Sequence, residues 1–154
     1  MDPALAKVEG RIETDRHGHI IMSPPPAPSH GGFQAEIVRL LYQLMPTGRV
    51  LTECPISTAD GVRAADVAWA SPRCIRRLGE KAFFARSPEI CVEVVSPGNS
   101  RLEIQEKMAL YADAGAEEVW LCSKSGEMTF FDSELASLKS SRLCPPFPKQ
   151  IKLR

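Results

Sequence analysis

The spacing of apolar positions changes along the chain, and each change of period marks an element. Residues 11–22 place His17, Gly18 and His19 at a turn between two short runs, which predicts a β-hairpin returning through Ile20 to Met22. Pro24, Pro25, Pro26 and Pro28 cannot donate to a ladder or continue a helix, so 23–29 reads as an extended, proline-rich connector. Phe33, Ile37, Leu40, Leu41 and Leu44 then recur at helical spacing. They predict a helix over 30–45, with Ser29 as N-cap and Pro46 and Gly48 ending it.

Segments 49–56 and 63–70 read as strands joined by a turn at Asp60 and Gly61, and Pro72 opens a short basic helix or loop. A strand is predicted over 89–95, stopped by Ser96, Pro97 and Gly98. A helix follows over 100–114 with Gly115 as its C-cap. Two further strands, 118–122 and 128–132, turn at Ser125 and Gly126. The proline-containing C-terminus reads as loop with an edge strand near Ile151. No repeat or long linker divides the chain, so residues 1–154 form one layered domain of the α/β (α+β) class.

The 154 residues suffice to bury a core of about two thirds of the unfolded surface without disulfides. The five cysteines are far apart, with no Cys-x-x-Cys pair, and read as reduced core thiols. A thiol enzyme using Cys91 or Cys122 is disfavoured, since both lie inside apolar strands without an evident base. No run approaches the ~18 apolar residues of a membrane span, and residues 1–10 carry Asp2 and Glu9 without an apolar signal core. A cytoplasmic protein that does not enter membranes is expected.

Lys plus Arg number 19, equal to Asp plus Glu, which argues against a surface that is basic throughout. The balance conceals segregation. Residues 73–86 hold five basic groups against one acid, 87–138 hold three against ten, and 139–154 hold five against none. A solvated face is the ordinary explanation of each basic cluster.

Three charged residues occupy positions where the pattern calls for apolar ones. Glu93 interrupts Ile90-Cys91-Val92 and Val94-Val95, a strand apolar on both faces and hence buried on both. Burying a carboxylate without a partner costs several kcal/mol, on the order of its desolvation, so Glu93 requires a cation. Asp66 repeats the arrangement within Ala64-Ala65 and Val67-Ala68-Trp69. On the second long helix, at about 100° per residue, Lys107 shares an arc with Ile104, Met108, Leu110 and Tyr111. Two readings of Lys107 stand open: an exposed pair with Glu103 one turn earlier, or a core-facing cation. Two acids in apolar strands with a lysine facing them would be a costly inert core, and mark a functional-site candidate. Such a carboxylate pair suits a hard divalent ion, Mg²⁺, with waters and substrate phosphates completing its shell.

The run Val92-Glu93-Val94-Val95-Ser96-Pro97, followed by Glu103, Lys107, Tyr111, Gly115 and Glu118-Val119-Trp120-Leu121, resembles the Uma-type restriction endonuclease family of the PD-(D/E)XK nuclease superfamily. Ile21-Met22-Ser23-Pro24 to His30 and the strand of Asp66 are similar in order and spacing, so the resemblance runs from about Arg11 to the C-terminus. It implies a central mixed sheet flanked by helices, with Asp66 and Glu93 as catalytic metal-holding acids. The lysine usual two residues after the second acid is replaced here by Val95, and Lys107 on the following helix takes its place. Ala65 stands where proline usually precedes the first acid, and Glu103 where the family more often has Asp.

Glu36 on the first helix and His30 at its start match accessory positions of relatives, as does Glu103. A helix-flank glutamate and a local histidine contact are the plain alternatives for the first two. The resemblance implies an endonuclease that hydrolyses phosphodiesters of nucleic acid, DNA foremost, with Mg²⁺ or Mn²⁺. Arg73, Arg76, Arg77, Lys81 and Arg86, with Lys149, Lys152 and Arg154, are expected on the phosphate backbone. Cutting both strands of a duplex requires two sites, and so a homodimer. The competing reading is a non-cleaving nucleic-acid-binding or protein-interaction module on the same fold.

Overall fold

The computed structural model describes residues 11–23 and 27–153. The N-terminal hairpin is β1 (Arg11–Thr14) and β2 (Ile20–Ser23), paired antiparallel with Glu13 opposite Ile21. Helix α1 (Pro28–Leu44) follows, then β3 (Arg49–Thr58), β4 (Gly61–Ala70), the short α2 (Pro72–Leu78), β5 (Ile90–Val94) and α3 (Arg101–Asp113). Strands β6 (Glu118–Cys122), β7 (Met128–Asp132) and β8 (Ser137–Leu138) complete the chain.

Strands β3 to β8 form one six-stranded sheet in sequence order, every neighbouring pair antiparallel except β5 and β6. Parallel neighbours need a crossover, and α3 supplies it. Because strand side chains alternate, the sheet has two faces. Phe33, Ile37 and Leu41 of α1 pack against Val67, Val92, Val94 and Trp120. Ile104, Met108 and Tyr111 of α3 pack with Ala68, Cys91 and Val119 from the other face. The predicted mixed sheet flanked by helices is the observed architecture. Among the described residues no helix is long and apolar enough to cross a membrane.

Several boundaries differ from the predicted ones. Ser29 is not the N-cap of α1: Ala27 occupies that place without a side-chain cap, and Pro28 opens the helix. A proline in the first helical turn loses no hydrogen bond, since its missing N–H would have no partner there, so Pro28 belongs to the helix. Ser23 ends β2, and Pro24, Pro25 and Pro26 of the predicted connector lie outside the described residues. Ala114, not Gly115, caps α3; Gly115 follows with φ +112°. The edge strand is β8, whereas Ile151 lies beside an isolated bridge between Glu127 and Gln150. The C-terminal segment packs inward instead, placing Phe147 and Ile151 in the core with Trp120.

Candidate active site

The sheet is not continuous at its centre. Strand β4 pairs with β5 only through Val67↔Val92, Ala68↔Cys91 and Trp69↔Ile90. Beyond those pairs the two strands part, and Asp66 and Glu93 are the next residues on each. The Asp66 carboxylate takes the place of the missing ladder: its Oδ2 accepts the Val94 N–H at 2.7 Å, and Asp66 is 1% exposed. His30, in the first turn of α1, brings Nε2 to 3.3 Å from the same oxygen.

On its other edge β4 is disturbed too. Pairing with β3 runs through Thr52↔Val67 and Cys54↔Ala65 but omits the positions between, where Glu53 has φ +48°. A non-glycine residue in that region is strained by on the order of 1–3 kcal/mol. Gln34 on α1 donates to the Asp66 carbonyl at 3.0 Å and lies 3.4 Å from Glu53 Oε1. The acid strand is therefore held by side chains at the point where both ladders lapse.

Glu93 is 3% exposed and lies on the α3 face. Tyr111 Oη donates to its Oε1 at 2.7 Å, and Lys107 Nζ lies 3.4 Å from the same atom. Burial, reinforced by the Glu93 charge, raises the Tyr111 hydroxyl well above its ordinary pKa, so it stays protonated and donates. Lys107, 16% exposed in its side chain, also faces Glu13 Oε2 at 3.2 Å and donates to the Ala64 carbonyl at 3.4 Å. Of the two readings of Lys107, the core-facing one describes its position. Glu103 instead closes a capping box with Ser100 at the start of α3.

The remaining predicted residues fall elsewhere. Glu36 pairs with Arg39 one turn along α1. Arg73, Arg76 and Arg77 lie on α2, and with Lys81 and Arg86 they are exposed. This segment leaves β4 at Ala70, beside the Trp69↔Ile90 pair, whereas Glu93 is three residues further along β5. At about 3.3 Å per residue that is roughly 10 Å along the sheet. All five cysteines are free and buried, and burial pushes the Cys91 thiol up to about 12.

Glu13 did not stand out in the sequence, because a charged residue alternating with Ile12 and Thr14 is what a solvated hairpin shows. Glu118 illustrates the converse. It begins an apolar strand and is buried too, yet its Oε2 accepts from Ser141 Oγ and the Leu143 N–H, which fastens the C-terminal segment. Burial of a carboxylate alone does not separate the two roles; the cation beside Glu93 does.

Among the described residues no three His, Cys, Asp or Glu side chains are grouped so as to hold a metal. Asp66 and Glu93 offer oxygen donors alone, which suits a hard ion that keeps waters and substrate oxygens in its shell rather than a zinc-type cage.

The fold is similar to that of a crystal structure from Anabaena variabilis described as a putative nuclease belonging to DUF820. It is 19% identical, with a TM-score of 0.70, over 85% of this chain and 76% of that one. No curated protein matches the chain. The model of the family Uma2, described as putative restriction endonuclease, matches residues 4–150, and the chain belongs to that family.

Proposed function

We propose that this protein is a divalent-metal-dependent phosphodiesterase of the PD-(D/E)XK endonuclease type acting on nucleic acid, DNA foremost. The observation that carries this reading is the placement of Lys107 Nζ 3.4 Å from Glu93 Oε1, with Asp66 bonded to the very next backbone N–H. Asp66 and Glu93 would hold Mg²⁺ or Mn²⁺, which when bound acidifies a coordinated water and shields the scissile phosphate. Asp66 is oriented by Val94 and His30, and Glu93 by Tyr111. Lys107 supplies a fixed positive charge for the developing charge on phosphorus-bound oxygen. Low exposure of all three groups excludes bulk water and strengthens that interaction.

In this reading the exposed cations of α2 and the following loop, Arg73, Arg76, Arg77, Lys81 and Arg86, hold backbone phosphates further along the same strand. Cleavage of both strands of a duplex calls for two copies of the chain. Five free, buried thiols suit a reducing compartment, the cytoplasm.

A second reading, a non-cleaving module, draws on Ala65 standing before Asp66 where proline is usual, and on the balanced overall charge. Thermal unfolding with and without millimolar Mg²⁺ separates the two. The nuclease reading expects Mg²⁺ to raise the midpoint in wild type and not in Asp66→Ala. A wild-type midpoint indifferent to Mg²⁺ and Mn²⁺ favours the module.

A further inference from the structure

A carboxylate in the middle of a four-residue hairpin strand is ordinarily solvated, yet Glu13 is 6% exposed. The reason lies on the edge of β4. Where β5 has ended, Ala64 presents both its N–H and its C=O to the vacated side. Glu13 Oε2 accepts the N–H at 2.8 Å, and Lys107 donates to the C=O at 3.4 Å. The same Glu13 oxygen lies 3.2 Å from Lys107 Nζ. An ammonium has three N–H donors. Those of Lys107 face three oxygens, from Glu13, Glu93 and Ala64.

The hairpin is fixed firmly enough to hold that position. Thr14 Oγ1 accepts the Val62 N–H at 2.9 Å, again on the edge of β4. At the tip, Arg16 binds the Asp60 carboxylate through its backbone N–H and its Nε, at 3.1 and 3.0 Å. Gly61, at φ +85°, lets the Thr14 and Asp15 carbonyls approach so closely that any Cβ would collide with them. The β1–β2 hairpin thus delivers one carboxylate, at a set height, to the far side of the Lys107 ammonium.

We propose that Glu13 is a positioning residue of the active site, which holds the Lys107 ammonium against Glu93 and makes the N-terminal hairpin part of the catalytic apparatus. The inference rests on the nuclease reading for its consequence in catalysis, and on geometry alone for the placement of Lys107. Glu13 touches no reacting atom in this account. Its charge gives the Lys107 ammonium a second anionic partner, so the lysine stays in place when Glu93 shares its charge with a metal ion.

Two measurements test this. In Glu13→Gln the side-chain oxygen still accepts the Ala64 N–H, but the anion is gone. Acetylation of the folded protein by acetic anhydride, followed site by site by mass spectrometry, is expected to run several-fold faster at Lys107 than in wild type and unchanged at Lys81, Lys124 and Lys139. Thr14→Val, which loosens one hairpin anchor but keeps the Glu13 anion, is expected to raise Lys107 labelling less than Glu13→Gln does, and an equal rise overturns the proposal. In cleavage assays Glu13→Gln is expected to lower kcat by about 10- to 100-fold, the usual range for an outer partner of a catalytic group. In a Lys107→Ala background it should add nothing, because the two residues act as a unit. Unchanged Lys107 labelling in Glu13→Gln overturns the proposal, as does an equal loss of kcat in both backgrounds. Wild type that fails to cleave removes the nuclease reading alone, and the labelling then decides the placement by itself.

Discussion

Tyr111 and Glu93, eighteen residues apart and on different elements, share a 2.7 Å hydrogen bond in which the buried phenol donates to Oε1. The bond turns one carboxylate oxygen toward α3 and holds the other end of the group in a fixed orientation. Tyr111→Phe keeps the ring in the core and removes only the donor. A hydrogen bond to a charged group contributes roughly 1.5–3 kcal/mol, and urea unfolding is expected to show a loss in that range with an unchanged m-value. A loss below about 0.5 kcal/mol would mean that water replaces the phenol and Glu93 is less enclosed than described.

Lys107→Met tests the ion cluster. It retains the aliphatic length but leaves the Glu13 and Glu93 carboxylates facing one another without a cation. Removing one partner of a buried ion pair typically destabilises by about 3–5 kcal/mol. Lys107→Arg restores the charge with a planar fork in place of a point donor. It is expected to recover most of the stability and little of the cleavage. Equal stability of Lys107→Met and wild type would contradict the cluster.

Gly61→Ala places a methyl group where the hairpin backbone crosses the β3–β4 turn, in a backbone region that L-residues rarely adopt. The expected cost is on the order of 1–3 kcal/mol, read as a fall in the thermal midpoint. Faster amide exchange at Val62 and Ala64 should accompany it, since their N–H groups bind the hairpin.

Acid should loosen the hairpin tip late. Hydrogen bonds from Arg16, then from Arg63, lower the half-buried Asp60 carboxyl from its usual 3.8 to about 2. A depressed pKa means that the contribution to stability is complete above about 4 and is lost as pH falls through about 2. Carboxyl-carbon NMR titration is expected to give a midpoint near 2 in wild type, moving back toward 3.8 in Arg16→Ala.

The thiols should be inert in the native protein. Burial pushes Cys74 and Cys122 up to about 11 and Cys91 to about 12. At pH 8 an aromatic disulfide reagent is expected to modify none of the five until denaturant is added.

Much of the fold follows from local spacing. Strands β6 and β7 coincide with the predicted 118–122 and 128–132, because two short, largely apolar runs on either side of a glycine turn leave one arrangement. Asp66 and Glu93 stood out for the same reason, as charges inside apolar runs. Lys107 was legible as a residue on the apolar arc of α3, while its choice between Glu103 and the core was not. That choice depends on Ser100, which engages Glu103 in the capping box and leaves the lysine to the strands. Glu13, Gln34 and Glu53 were invisible, since their roles arise where β4 loses its neighbours, and no spacing along one segment records where another strand stops. The α1 start was misplaced because proline is both a helix breaker and a good first residue, and only the helix axis decides between them.

The most direct measurement is the rate of cleavage of single- and double-stranded DNA and RNA in Mg²⁺ or Mn²⁺, comparing wild type with Glu93→Gln and Lys107→Ala. The account predicts cleavage by wild type that chelation by EDTA abolishes, and a loss of at least about 100-fold in each variant, as expected for a metal-holding group and a transition-state cation. Equal activity in all three proteins, or cleavage that persists in EDTA, would contradict it.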